Sequence, residues 1–454
     1  MGRKQPIAQL DRKGTSCPIL YAWDGTAVRF VTDFLGGCAI GYLEEPGRWS
    51  IPDTDEYVKV PGSLLAARNG AWDLRMVNQL EEVIYFDRAQ LVVVDHPSGV
   101  EVFPDERLMP SPPFPPFRVI KATGAHPPLA ARDGQGRDVL DRLKAEDRAT
   151  VDGFRPLPFK GYAEEHDLLL DLGDLEDAGQ VVLLLDGWID YADSTSNLAA
   201  SQAGVSLMPP RLDARHPGGA WRTVLPSMGF PAGLPKTMTV DLTGLLRPGE
   251  SEIRIRTSMR IYWDRVRIAT AGAGEPVRVT RLDPSAATLR FLGYPREFSP
   301  DGLMPRVYDY SQISLTAPWK AHAGAYTRFG DVRGLLLKVD DRYVVTRHGD
   351  EIALSFDAAA APPLPAGWGR DFLLYVDGFG KDMDPNSARP VAVGPLPFHA
   401  MPSYPYPAEA DPTSVPAWIS YLDRYNTRIV PADPLGAPGA APAGSPRPSQ
   451  ILEK

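Results

Sequence analysis

The sequence predicts a mainly β protein: antiparallel β-sandwiches in several domains, the central one a jelly roll, with few short helices. Three observations carry this. Proline (47) and glycine (41) are dense enough to cut the chain into short strands and turns, which works against long helices. Short runs of alternating or β-branched apolar residues recur between those breakers. At 454 residues, with 43% hydrophobic and 23% charged, the chain has an ordinary globular composition and a length for more than one core.

Residues 1–15 are polar and read as a disordered lead; they lack the apolar stretch of a secretory signal. Residues 16–120 form the first β domain. Cys17 and Cys38 flank a hairpin, Ile19–Trp23 and Val28–Thr32 around Asp24–Gly25. A bridge between them and two half-buried thiols both fit. Strands follow at Glu56–Val60, Trp72–Val77, Glu82–Phe86, Gln90–Val94 and Val100–Phe103, with Leu91–Val94 apolar throughout and therefore central. Pro104–Pro116 is an extended connector, too rich in proline for a sheet interior.

Residues 121–272 hold the central sandwich. Asp138–Arg148 predicts a helix, with Asp138 as N-cap and Val139, Leu140 and Leu143 on one stripe. Strand His166–Leu172 leads to Gln180–Ile268, the stretch that defines the domain. It opens with the apolar run Val181–Leu185 and contains two short runs, Trp221–Pro226 and Lys236–Leu242. It closes with Glu252–Ile268, in which Ile253 and Ile255 alternate with Arg254 and Arg256. Met259, Ile261 and Trp263 share one phase and Val266 and Ile268 the other, so a bulge near Asp264 restores the inward face and Trp263 is buried. Ser194–Ala203 is a short helical insert stopped by Gly204. The pattern is that of a galactose-binding-like jelly roll.

Residues 273–407 read as a third β domain, with strands at Thr288–Phe291, Leu335–Val339, Tyr343–Thr346, Glu351–Phe356 and Asp371–Val376, and a tight turn at Asp340–Asp341. Residues 408–430 carry a docking helix: Trp418, Tyr421, Leu422 and Tyr425 of Pro416–Tyr425 fall on one stripe, and proline suits its first turn. Residues 431–454 are a Pro/Ala-rich tail expected to be disordered.

A net charge of −9 with no basic block disfavours nucleic acid as a partner, and no apolar run approaches a membrane span. There is no G-x-S-x-G elbow, Walker loop, dinucleotide glycine motif or H-E-x-x-H. No two of the seven histidines lie two to five residues apart, which excludes a local histidine zinc motif and leaves open a site built from distant segments. Carboxylates gather in three loops: Asp53, Asp55 and Glu56; Asp186, Asp190 and Asp193; Asp377, Asp382 and Asp384. Each group can supply an acid/base pair for a glycoside, and each also suits a solvated turn. Trp188, Tyr191, Trp221, Tyr262 and Trp263 can stack on sugar rings or fill a core. Two sites follow. The loop Asp186–Asn197 offers Trp188, Asp190, Tyr191, Asp193 and Asn197 to a ligand, with aromatic faces, acceptors and an amide as a sugar requires. Asp382, Asp384 and Asn386 have the spacing with which calcium loops begin, and Asp377 can complete them. Ser387 and Val393 replace the glycine and glutamate of an EF-hand, so only an irregular calcium site remains.

Several phrases resemble a region of large bacterial proteins of the FG-GAP and ASPIC/UnbV group. They are C-P-I-L-Y-A-W-D-G from Cys17, L-E-E-V-I-Y-F-D-R-A-Q-L-V-V-V-D-H-P from Leu80, D-G-W-I-D-Y from Asp186, I-Y-W-D-R-V from Ile261, and L-P-F-H-A-M-P-S-Y-P-Y-P from Leu396. The likeness covers about 16–407. It implies a surface or adhesion-like protein of a group whose members often carry FG-GAP propeller or tetratricopeptide repeats beside this region, but propeller function does not carry over, since the D-x-D-G-D repeat and an ASPIC/UnbV segment are missing. The compartment expected is the cytoplasm by default and the cell surface by the resemblance. The functional expectation is a non-enzymatic scaffold that binds a carbohydrate or protein partner. A carboxylate-dependent glycoside hydrolase is the alternative, and a structural subunit of a surface assembly a third reading.

Overall fold

In the computed structural model, which describes residues 18–412 and 415–432, each alternating run finds an antiparallel partner, often far along the chain. Ala71–Val77 lies between Ile19–Trp23 and Asp350–Asp357, and the sheet runs on through Ala286–Phe291 to Gly330–Asp331. The facing sheet runs Arg278–Leu282, Glu82–Pro97, Trp368–Asp382, Asp55–Val60, with Val344–Arg347 also on Glu82–Pro97. Leu74, Met76, Leu289, Ile352 and Leu354 from one sheet meet Ile84, Leu91, Val93, Leu374 and Val376 from the other in one core. The expectation of separate β domains at 16–120 and 273–407 is therefore corrected. Each segment supplies only part of both sheets and closes no core alone; together they form one outer sandwich, interrupted by the central one.

Glu82–Phe86 and Gln90–Val94, expected as two strands, are one strand of 16 residues, Glu82–Pro97. A bulge joins them. Asp377 faces Arg88 and Gly378 faces Phe86, which leaves Asp87 unpaired. The extra residue switches the inward phase, so Ile84 and Phe86 before it and Ala89, Leu91 and Val93 after it reach the same core. Glycine is required opposite, because a Cβ at Gly378 would lie 2.3 Å from the Tyr85 carbonyl oxygen.

The central sandwich packs a five-stranded sheet (Ala130–Asp133, Tyr162–Asp171, Glu252–Met259, Arg211–Arg215, Trp221–Leu225) on a three-stranded one (Lys236–Asp241, Val182–Ile189, Ile261–Ala269). Leu168, Leu170, Ile253 and Ile255 face Leu183, Leu185, Val266 and Ile268 across it. The chain passes between sheets at Arg260, and Trp263 is buried at 4% exposure. The bulge expected near Asp264 is there: Gly187 pairs with Trp263 and Asp186 with Arg265.

Two expected elements differ. Asp138–Arg148 makes only a 3-10 turn, Leu140–Leu143, although the Asp138 carboxylate does accept the Leu140 N–H at 2.9 Å. Only Val139 and Leu143 of its stripe are buried, too little to hold a marginal isolated helix. Leu335–Val339 is likewise no strand: Arg333–Leu335 is a 3-10 turn that sends Leu335 and Leu336 together into the core. Pro416–Tyr425 is helical and buries Trp418 and Tyr421 against the outer sandwich. Among the described residues no helix is long and apolar enough to cross a membrane. Cys38 is buried; Cys17, the lead and nearly all of the tail lie outside the described residues.

Candidate functional site

The helix Ser194–Gln202 is N-capped by Asp193, whose carboxylate accepts the Ser196 N–H at 2.7 Å. Its first turn bonds both to its own sandwich and to the N-terminal segment of the chain. Asn197 Nδ2 donates to the Leu43 carbonyl at 2.7 Å and to the Tyr42 hydroxyl at 2.9 Å, and Asn197 Oδ1 accepts the Tyr162 hydroxyl at 2.7 Å. Asp384 also reaches this helix end, accepting the Thr195 N–H at 3.2 Å and its hydroxyl at 2.7 Å. Asn386 Nδ2 donates to the same hydroxyl at 2.9 Å. The two loops singled out from sequence thus meet at one helix N-terminus and tie the sandwiches together.

Beside this junction lies a cleft of about 510 Å³, whose walls include Tyr42, Tyr162, Tyr191, Phe230, Trp319 and Lys160. Of the expected ligand residues, Tyr191, Asp193 and Asn197 line it, as do Asp382 and Asp384. Trp188 and Asp190 do not. Trp188 is buried and stacks on Tyr262 at 4.0 Å between ring centroids, and Asp190 accepts Arg260 Nη1 at 3.1 Å. Trp221 lies under Arg254 and Trp263 in the core, so Tyr191 alone of the five aromatics expected to stack on a sugar faces the cleft. Asp193 and Asn197 spend their polar atoms on protein partners and shape the wall rather than reach into it.

A second compartment of about 290 Å³ adjoins the first, sharing Gly37 and Leu108. Asp53, Asp55 and Glu56 line it together, joined by Glu106 and Lys236. Lys236 Nζ reaches Glu56 Oε1 at 3.0 Å and Asp33 Oδ1 at 3.2 Å. Burial, and then the charges of Asp55 and Glu56, push the Asp53 carboxyl up to about 7. Burial and the charge of Glu56 raise Glu106 well above the carboxylate range. The compartment therefore sets a proton-holding carboxyl near an ion-paired carboxylate at neutral pH.

The four expected calcium ligands are not brought together. Asp377, Asp382 and Asp384 do not gather their carboxylate oxygens. Asp377 lies opposite Arg88 across the bulge and accepts His399 Nε2 at 2.9 Å. Asp384 is taken by Thr195. Burial raises the Asp382 carboxyl, which the Ser387 hydroxyl and the Asp384 N–H moderate.

Glu106, Lys236, Phe230 and Trp319 carry no sequence signal for these compartments, since their neighbours come from remote segments: Lys236 meets Glu56, 180 residues away. The carboxylates were visible as a group, and their partner was not. Compared with known proteins, the chain matches no family model, no curated protein and no solved structure.

Proposed function

We propose that this chain is a non-catalytic binding protein whose ligand, a carbohydrate, lies in the cleft between the outer and central sandwiches. The observation that carries the reading is the cleft itself: about 510 Å³ with aromatic and polar walls, beside a compartment of carboxylate acceptors. Aromatic faces take the apolar face of a sugar ring, and carboxylates accept from its hydroxyls. The five-plus-three division of the central sheets suits the jelly-roll expectation, and the likeness to the FG-GAP and ASPIC/UnbV group suits a surface role. A glycan array probed with the full chain tests it. Tyr191→Ala and Trp319→Ala should each weaken the glycans found by about tenfold, or 1.4 kcal/mol. No bound glycan, or binding untouched by both substitutions, refutes it.

A second reading, glycoside hydrolysis, is favoured by one feature: Asp53 pushed up to about 7 in the same compartment as the Lys236-paired Glu56. A carboxyl raised towards neutral pH beside an ion-paired carboxylate is the kind of pair the reaction needs. Turnover of chromogenic glycosides by the wild type, abolished in Asp53→Asn and Glu56→Gln, would establish it over pure binding.

A further inference from the structure

The bulge in Glu82–Pro97 brings together side chains that no local pattern connects. Asp87, its unpaired residue, has a fully buried side chain. Asp87 Oδ2 accepts the N–H groups of Asp340 and Asp341, both at 2.9 Å, while Oδ1 is buried with no hydrogen-bond partner. His399 Nδ1 stands 3.8 Å from Asp87 Oδ2 and 2.7 Å from Asp341 Oδ1. His399 Nε2 donates to Asp377 at 2.9 Å. Among the described residues, Asp87, Asp341 and His399 are the one set of three such side chains whose ligand atoms all fall within 4.8 Å of one another.

We propose that Asp87, Asp341 and His399 bind a first-row divalent metal ion, zinc or manganese. An ion-pair clip would account for His399 between Asp341 and Asp377. It would leave the buried Asp87 Oδ1 with nothing to do, whereas a cation beside this carboxyl compensates it. Asp377 has the place of an outer partner: a metal-bound imidazole donates its other ring N–H to a carboxylate, which fixes the ring and its tautomer. Bonds of about 2.0–2.1 Å put tetrahedral ligand atoms roughly 3.3 Å apart, between the two Nδ1 separations found here. The ion takes the place of the proton now between His399 Nδ1 and Asp341. One imidazole and two carboxylates without a thiolate suit zinc or manganese better than calcium. Three protein ligands leave a position open to water, and His399, with a side chain 28% exposed, gives access.

The test is calorimetric titration of the chelator-treated full chain with zinc chloride and with manganese chloride. One equivalent of either should bind with a Kd of about 10 µM or tighter. His399→Ala should abolish that binding, and Asp377→Asn should weaken it by about 10–100-fold. Asp141→Asn, at an exposed carboxylate outside the cluster, should leave it unchanged. Asp87→Asn alters a fully buried group and risks the fold itself, so the partly exposed His399 is the deciding position. No saturable binding by the wild type, full binding in His399→Ala, or loss in Asp141→Asn overturns the proposal.

Discussion

Replacing Asn197 with alanine removes three hydrogen bonds at once, two of them, to Leu43 and Tyr42, between the sandwiches. The side chain is 4% exposed, so water does not replace them. Tyr42 keeps its bond to the Ala192 carbonyl, at 3.1 Å, but the Tyr162 hydroxyl loses its acceptor and the Leu43 carbonyl loses this donor. Each buried polar group left unsatisfied costs about 1–3 kcal/mol, so the two together predict a loss of about 4 kcal/mol. Asn197→Asp should be no better: it keeps an acceptor for Tyr162 but turns a carboxylate towards the Leu43 carbonyl. The assay is urea unfolding of the full chain followed by tryptophan fluorescence, with the first transition compared among the three proteins. A loss under about 1 kcal/mol in Asn197→Ala would refute the reasoning, since the junction would then be wet or slack.

Trp263→Ala should destabilise the central sandwich by about 3–5 kcal/mol, read as a lowered unfolding midpoint; an unmoved midpoint would contradict its burial. Gly378→Ala should cost at least about 2 kcal/mol, because its Cβ meets the Tyr85 carbonyl, which is backbone and cannot turn aside; wild-type stability would contradict the bulge geometry. Burial holds His322 down to about 4 and His348 to about 3, with Lys381 and Arg347 adding repulsion. Both stay neutral in the folded chain while the unfolded chain takes up protons below about 6.5, so their contribution is complete above that pH and is lost as the pH falls towards 4 and then 3. At pH 5 the two together should cost about 4 kcal/mol relative to pH 8. The raised carboxyls of Asp53 and Asp264 act in the opposite sense over this window, so the difference between wild type and His322→Gln/His348→Gln in urea titrations at the two pH values is what checks it. Equal pH slopes in both would refute it.

Strands were legible wherever apolar residues alternate, because that period reports one buried face whatever the partner. The phase change between Trp263 and Val266 marked the bulge at Asp264. The same signal stands at Asp87, where Phe86 and Ala89 are both inward, but charged Asp87 and Arg88 read as the end of a strand. Partners were not legible. Nothing in Ala71–Val77 says that its neighbour is Asp350–Asp357, and this concealed the single outer sandwich behind two expected domains. The cleft was legible in pieces. Asp53, Asp55 and Glu56 stood out as a group and do share a compartment, whereas Trp188 stood out as a loop aromatic and is instead turned onto Tyr262.

The interleaving of the outer sandwich also sets an order in time. Residues 130–269 complete the central sandwich within one stretch of chain and can fold as they leave the ribosome. Glu82–Pro97 must wait for Arg278–Leu282 and then for Trp368–Asp382 before both its edges are covered. At roughly 5–20 residues per second, the first of these arrives about 10–35 s after Pro97 is made. Throughout that interval a long apolar strand, Leu91–Val94 at its centre, has unsatisfied edges, a state prone to pair with other chains. Synthesis of this protein therefore passes through a window in which the open edges of this strand favour mispairing until their partners emerge.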